Sequence, residues 1–155
     1  MAQPVSAKET IPIASDHAGF EMKQALAKAL RDLGYDVQDL GTTSEKSVDY
    51  PDFAHPLARE VSEGKVHRGV LLCGTGLGMS YVANRYPHVR AAVAWTPEVA
   101  ALARQHNDAN VLVLPARLIS EDEGRAILKT WLDTPFEGGR HERRVEKIEL
   151  GPETT

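Results

Sequence analysis

Short apolar runs alternate with longer amphipathic stretches along most of the chain, and this alternation limits the possible folds more than any other feature. The apolar runs predict strands at 11–15, 35–40, 69–73, 90–94 and 111–114. The amphipathic stretches predict helices at 18–33, 51–64, 76–86, 96–107 and 120–131, followed by a charged helix from 140 to about 150. Strands joined through helices run parallel, because each crossover returns the chain to the same edge of the sheet. Right-handed crossovers then predict a Rossmann-like three-layer α/β/α sandwich with a five-stranded parallel sheet.

The chain length fits one domain with a single core. At 155 residues it can bury a substantial apolar interior, and no internal repeat or linker divides it. The first nine residues and the last five lack apolar periodicity. We therefore expect one domain over residues 10–150, with flexible tails at 1–9 and 151–155.

Composition and charge exclude several classes of function. The net charge of −4 argues against a general nucleic-acid binder, which would carry a basic face. We find neither an apolar span long enough for a bilayer nor the apolar core of a signal peptide, so we expect no membrane association. The single cysteine cannot form an intrachain disulfide, which favours a reducing, cytoplasmic location.

The third predicted strand ends on the only cysteine of the chain, Cys73, and a glycine-rich turn and a helix follow at once. Gly74, Gly76 and Gly78 allow the backbone N–H groups to approach anionic oxygens, and the start of a helix adds a positive dipole. The same dipole stabilises a thiolate, which could act as a base or as a nucleophile. Two simpler interpretations remain open: a tight turn without a ligand, and a cysteine that only fills space in the core.

The spacing of this turn disfavours other phosphate-binding loops. It lacks the G-x-G-x-x-G pattern of dinucleotide sites and the lysine of nucleoside-triphosphate sites. A cysteine-dependent phosphatase loop would end in an arginine, whereas the next arginine here is Arg85. A thiol beside an oxyanion-binding turn suits proton transfer on a phosphorylated substrate better.

Further polar residues follow the other predicted strands. Ligands of parallel sheets bind beyond the carboxyl ends of the strands, where Asp16 and His17 follow the first strand and Arg117 follows the fifth. His106 and Asn107 end the fourth helix, and we expect them on the same rim as the cysteine. Structural alternatives remain: Asp16 as a helix N-cap, His106 as a satisfied histidine at a helix end, and Asn107 as a left-handed cap.

The carboxyl-terminal helix carries a basic face. Arg140, Arg144 and Lys147 share that face, and Gly138 and Gly139 precede it. We expect the helix to project toward a partner subunit, where its arginines could bind a phosphate through two hydrogen bonds each. The alternative is a charged face that is merely solvated.

Six short motifs, in this order along the chain, resemble the type B ribose-5-phosphate isomerases. They are Ser15–Phe20, Asp49–Pro51, Cys73–Gly78, Arg104–Asp108, Asn110–Leu112 and Glu137–His141. The resemblance covers about residues 11–149, and the wider group includes allose-6-phosphate and galactose-6-phosphate isomerases.

The resemblance implies a reaction and roles for its catalytic residues. Cys73 would carry a proton between two sugar carbons, while Thr75 and the amides of the glycine turn, Gly74 to Gly78, would hold the enediolate oxygens. Asp16 and His106 would open the furanose ring. The family therefore implies interconversion of ribose 5-phosphate and ribulose 5-phosphate, a step of the pentose phosphate pathway, without a metal or other cofactor.

The resemblance also implies a set of binding residues and an assembly. The residues that would bind substrate are His17, Tyr50, Gly74, Gly76, Gly78, Asn107, Arg117, Arg140 and Arg144, of which His17 and the arginines would bind the phosphate. Members of the family build each site across the interface of a homodimer, so some of these side chains would come from a partner; a tetramer is also compatible with the sequence. Two alternatives remain: the same chemistry on a tetrose or hexose phosphate, and a non-catalytic sugar-phosphate sensor.

Overall fold

The computed structural model describes residues 9–149 and confirms the predicted five-stranded parallel sheet. The strands are β1 (Thr10–Ser15), β2 (Asp36–Asp39), β3 (Gly69–Cys73), β4 (Ala91–Val93) and β5 (Val111–Pro115). Their order is β2-β1-β3-β5-β4, and every neighbouring pair is parallel. From β1 the chain adds β2 on one side, and it then returns to add β3 on the other side, with β5 and β4 beyond β3. The direction of the connections therefore reverses between β1 and β3, and the gap between the ends of these two strands is the switch point of the sheet.

Residues 9–149 form six helices, of which the first five cover the sheet. They are α1 (Phe20–Asp32), α2 (Pro51–Ser62), α3 (Leu77–Ala83), α4 (Pro97–Asn107), α5 (Glu121–Asp133) and α6 (Arg140–Glu146). Single 3-10 turns, His17–Gly19 and Lys147–Glu149, precede α1 and follow α6. Helix α3 ends three residues earlier than the sequence predicts, because the Asn84 side chain turns to bond both the N–H and the C=O of Ala91.

Two apolar clusters, one on each face of the sheet, confirm the three layers. One cluster joins α1, α4 and α5 to the strand side chains that include Leu72 and Leu112, and Trp131 is fully buried in it. The other joins α2 and α3 to the alternate side chains, including Leu71 and Cys73. Strand β3 is buried on both faces, which explains its unbroken apolar sequence.

The carboxyl-terminal helix α6 lies against its own domain rather than standing off it. At its start, the buried His141 ring stacks on the ring of His106 in α4. Beyond its end, the Glu149 carboxylate accepts two hydrogen bonds from the N–H of His88, at 3.0 and 2.9 Å. The expected contact of this helix with a partner subunit stays a prediction.

The predicted tails lie largely outside the described residues. Only Glu9 of the amino-terminal segment is described, and its carboxylate accepts hydrogen bonds from the Arg68 guanidinium at 2.7 to 3.2 Å. Leu150 and residues 151–155 are beyond the described range. Among the helices of residues 9–149, none combines the length and the apolar character that crossing a bilayer requires.

Candidate active site

Asp16 and Cys73 lie side by side at the switch point of the sheet. Ser15 pairs with Leu72 across β1 and β3, and the Asp16 N–H donates to the Leu72 carbonyl. The Asp16 carboxylate is buried and accepts from the N–H groups of Ala18 and Gly19 at 3.0 and 3.3 Å. The capping interpretation of Asp16 is therefore correct, and the cap fixes the carboxylate at the end of β1, the strand beside the one that carries the thiol.

The glycine turn directs a backbone amide at the Cys73 sulfur. The N–H of Gly76 donates to Sγ over 3.2 Å, and the thiol is almost fully buried. Gly76 has a φ of +81°, and a Cβ there would lie 3.1 Å from a methyl of Val93 and 3.3 Å from one of Val113. Cys73 does pack in the core, but its sulfur also accepts a hydrogen bond from a backbone amide of the glycine turn.

Tyr50 and Thr75 border this turn on its outer side. The Tyr50 ring lies so close to Gly78 that a Cβ at that glycine would be 2.6 Å from Cε1 and 2.7 Å from Cζ. Thr75 is exposed, and its hydroxyl accepts from the N–H of Leu77 at 3.2 Å. The rim therefore offers a phenol ring and a hydroxyl beside the start of α3.

His17 is held in a defined orientation. Its Nδ1 accepts a hydrogen bond from the N–H of Val48 at 3.1 Å, so the neutral ring carries its proton on Nε2. This bond also ties the loop that leads to Tyr50 to the end of β1. His17 thus keeps one nitrogen as a donor for a substrate oxygen.

Arg117 brings a positive charge to the same turn. The backbone N–H of Arg117 donates to the carbonyl of Gly74 at 3.0 Å. A Cβ at Gly74 would lie 3.3 Å from Cδ and 3.4 Å from Nη1 of Arg117, so the side chain extends over the glycine. A guanidinium in this place suits an anionic ligand.

The expectation that all the acids, bases and the thiol gather on one rim is wrong for a single chain. Helix α4 starts beyond the carboxyl end of β4 and runs back, so that His106 and Asn107 lie at the opposite edge of the sheet. There Asn110, just beyond α4, accepts from the N–H of Gly69 at the start of β3. Cys73 is at the other end of that five-residue strand, about 13 Å away along its axis.

At this amino edge, two histidines and a glutamate form a cluster. The rings of His106 and His141 stack with centroids 4.4 Å apart and planes 16° from parallel. The Nε2 of His141 lies 3.5 Å from a carboxylate oxygen of Glu137. Burial lowers the pKa of His141, and the positive charges of Arg140 and of a protonated His106 lower it further, while Glu137 opposes them.

The same cluster offers three atoms that metals bind, all within 4.8 Å of one another. A histidine lone pair lies in the ring plane, and the planes here are nearly parallel. The two lone pairs therefore point alongside each other rather than toward one tetrahedral position. This arrangement favours the orientation of one ring by the other over metal binding.

Arg140 and Arg144 also belong to this edge. Both are exposed on α6, whose first turn is attached to the end of α4 by the His141–His106 stack and by a hydrogen bond from the Glu137 N–H to the Gln105 carbonyl at 3.1 Å. The sequence pattern assigns no role to Glu137 or His141, and their i, i+4 spacing is its only sign that the two side chains meet.

Comparisons with known proteins agree with these features. The family model described as Ribose/Galactose Isomerase matches residues 11–148. Ribose-5-phosphate isomerase B of Escherichia coli is 42% identical, with 89% of this chain and 93% of the relative covered. The ribose 5-phosphate isomerase structure from Thermotoga maritima is 52% identical, with a TM-score of 0.88, over 91% of this chain and 97% of that one.

A further solved structure contains a bound ketose phosphate. Ribose-5-phosphate isomerase B of Mycoplasma genitalium, with ribulose-5-phosphate bound, is 42% identical and has a TM-score of 0.87, over 90% of this chain and 93% of that one. The family match spans nearly all the described residues, including both edges of the sheet. The chain therefore belongs to the ribose/galactose isomerase family.

Proposed function

We propose that this protein interconverts ribose 5-phosphate and ribulose 5-phosphate. The observation that carries the proposal is the Cys73 thiol, which lies under the Gly76 amide at the switch point of the sheet, on the strand beside the one that Asp16 follows. The ribose-5-phosphate isomerases named above are up to 52% identical to this chain in sequence. We place the reaction in the pentose phosphate pathway and in the cytoplasm.

The chemistry follows from the placement of the thiol. As a thiolate, Cys73 removes the proton from C2 of the open-chain aldose, and the electron pair moves through the carbonyl onto O1 to give a cis-enediolate. The protonated Sγ then returns its proton to C1 while the O2 proton passes to O1, which gives the ketose and restores the thiolate. The amides of Gly74, Gly76 and Gly78 and the hydroxyl of Thr75 stabilise the enediolate; one such donor is worth about 3 kcal/mol.

We propose that each complete site combines two chains. One edge of a single chain carries Asp16, His17, Tyr50, Cys73 and Arg117. The opposite edge carries His106, Asn107, Arg140 and Arg144. A two-fold axis that brings the second edge of one chain to the first edge of its partner forms two identical sites. In each, the partner's histidine and the Asp16 carboxylate open the furanose ring, and the arginines anchor the phosphate.

Exposed apolar side chains on or next to the two helices that flank the edge strand β4 support this dimer. These residues are each at least 36% exposed, and they are Leu77, Tyr81, Trp95, Val99 and Leu102. They lie on α3, which starts at the thiol edge, and on or before α4, which ends at the histidine edge. Exposed apolar patches of this kind mark interaction sites, and a second copy of the chain would cover this one.

Two alternatives are separable by experiment. The family model includes galactose isomerases, so the length of the sugar has to be measured rather than assumed. The buried Asp16 and the amide-bonded Cys73 disfavour a non-catalytic sensor, because a binding protein has no need of a carboxyl group and a thiol buried at the same edge of the sheet.

The test is a panel of aldose phosphates with four, five and six carbons, followed by direct detection of the ketose. We expect ribose 5-phosphate to give the highest kcat/KM. Cys73→Ala should lower kcat about a thousandfold while binding of the sugar phosphate, measured by calorimetry, persists. Binding without turnover by the wild type would identify a sensor, and preference for a hexose phosphate would overturn the assignment to ribose.

A further inference from the structure

His141 is a buried imidazole whose presence the packing alone does not explain. Its side chain is 6% exposed, and its Nε2 has no hydrogen-bond partner among residues 9–149. A buried polar nitrogen without a partner is costly, and an apolar side chain would fill the same space without that cost. The imidazole therefore requires an explanation from function.

The neighbours of His141 indicate what this function is. One face of its ring covers the ring of His106 at 4.4 Å, while the edge with Nε2 faces the carboxylate of Glu137 at 3.5 Å. His106 ends α4 and is only partly buried, so the stack restricts rotation of its ring. Arg140, which precedes His141 in sequence, lies on the exposed side of the same helical turn.

We propose that His141 is a positioning residue that fixes the ring plane of His106 for opening of the sugar ring, and that Glu137 orients His141 in turn. This inference rests on the proposed function. A group that passes a proton to the ring oxygen must lie within hydrogen-bond reach and in line with it. Misplacement of such a group by about 1 Å can lower the rate by about a hundredfold.

The stack also disfavours protonation of both histidines at the same time. Two protonated rings 4.4 Å apart would repel each other, and the groups that face His141 are His106, Glu137, Arg140 and Arg144. Burial and the nearby arginines lower the pKa of His141, which favours its neutral form. We therefore assign the exchange of a proton with substrate to His106, which is less buried.

A comparison of two reactions separates this role from general damage. Ribose 5-phosphate is mainly a closed furanose, so its isomerisation requires ring opening. Ribulose 5-phosphate cannot close a furanose ring because its O5 is phosphorylated. Exchange of its C1 proton in D2O, followed by NMR, therefore reports on proton transfer by Cys73 without ring opening.

The variants are His141→Leu, His141→Phe and Glu137→Gln, with Val145→Ala as the control. Val145 is half-buried one turn further along α6, so its truncation loosens the helix without altering the stack. We expect His141→Leu to lower kcat for ribose 5-phosphate about tenfold or more, with proton exchange changed less than about twofold. The kcat of His141→Phe for ribose 5-phosphate should be close to that of the wild type, because phenylalanine keeps a stacked ring. The kcat of Glu137→Gln should lie between those of His141→Leu and His141→Phe.

Other outcomes overturn the inference. Equal loss in both reactions, or the same loss in Val145→Ala, would mean that His141 only supports the fold. Normal kcat in His141→Leu would mean that it has no role in positioning. If His141→Leu does not fold, the comparison of His141→Phe with Glu137→Gln decides, and normal ring opening by Glu137→Gln would contradict the proposal. Absence of isomerisation by the wild-type protein would instead remove the proposed function itself.

Discussion

The absence of a side chain at Gly78 determines where Tyr50 can lie. A Cβ at that position would approach ring atoms of Tyr50 to 2.6 and 2.7 Å, which no ring can tolerate without moving. The ring is more than a third exposed and can move outward, so a methyl group would shift the wall of the site rather than unfold the domain. Gly78 therefore contributes to the site by leaving space for the Tyr50 ring.

This contact gives a prediction for substrate affinity. Gly78→Ala should raise KM for ribose 5-phosphate about fivefold to tenfold, because the displaced Tyr50 no longer borders the substrate. In a Tyr50→Ala background the same change should have little further effect, so that a double-mutant cycle gives a coupling of about 1 kcal/mol. Fully additive effects on KM would show that the two residues act independently.

His141 should also make stability depend on pH. Its folded-state pKa lies below the ordinary value of about 6.5, because the residue is buried and lies near Arg140 and His106. Below pH 6.5 the unfolded chain binds this proton more readily than the folded protein, so stability falls as the pH falls; well above that value His141 contributes no pH dependence.

Urea-unfolding midpoints at pH 7.5 and 5.5 test this sign. The midpoint of the wild type should fall between the two pH values by more than that of His141→Phe, which keeps the ring but cannot be protonated. An equal or larger fall in the variant would contradict the assignment of a neutral, buried imidazole.

At the scale of elements, the start of α1 depends on a close approach to β3. A Cβ at Gly19 would lie 2.8 Å from the Cβ of Leu72 and 3.1 Å from its backbone carbon, and neither atom can move without the strand. Gly124 in α5 is equally buried, but a Cβ there would meet only the flexible thioether of Met22, at 3.1 Å. The two glycines therefore differ in what surrounds them rather than in burial.

Alanine substitutions at these glycines should have opposite effects. Gly19→Ala should destabilise the protein by about 1–3 kcal/mol through overpacking. Gly124→Ala should be neutral or stabilising by up to about 1 kcal/mol, because alanine favours a helix interior. Urea unfolding of both variants measures this, and equal destabilisation would show that the contact with β3 is not what constrains Gly19.

The elements also show why part of the fold was predictable. Strands β3 and β5 are buried on both faces, so their sequences are continuously apolar and both are found with nearly correct ends. The end of α3 was predicted too late, because a side-chain bond from Asn84 to β4 terminates it. This hydrogen bond joins the end of α3 to β4, and the periodicity of apolar residues within α3 does not reveal it.

At the scale of the whole molecule, the thiol edge was predictable and the location of the histidine edge was not. Residues that directly follow strands, such as Asp16, Cys73 and Arg117, must lie at the carboxyl edge of any parallel sheet. His106 lies in the last turn of a helix that returns to the amino edge, and only the direction of α4 reveals this. The stack of His106 on His141 depends on where α6 packs, which the sequence pattern does not define.

We propose that one active site combines Cys73 of one chain with His106 of another. A heterodimer of Cys73→Ala and His106→Ala chains, purified through two different tags, tests it directly, because each parent homodimer lacks one of the two groups in both sites. We predict that the heterodimer regains about half of the wild-type kcat for ribose 5-phosphate, since one of its two sites is complete and the other lacks both groups. A heterodimer as inactive as its parents would contradict a site shared between chains.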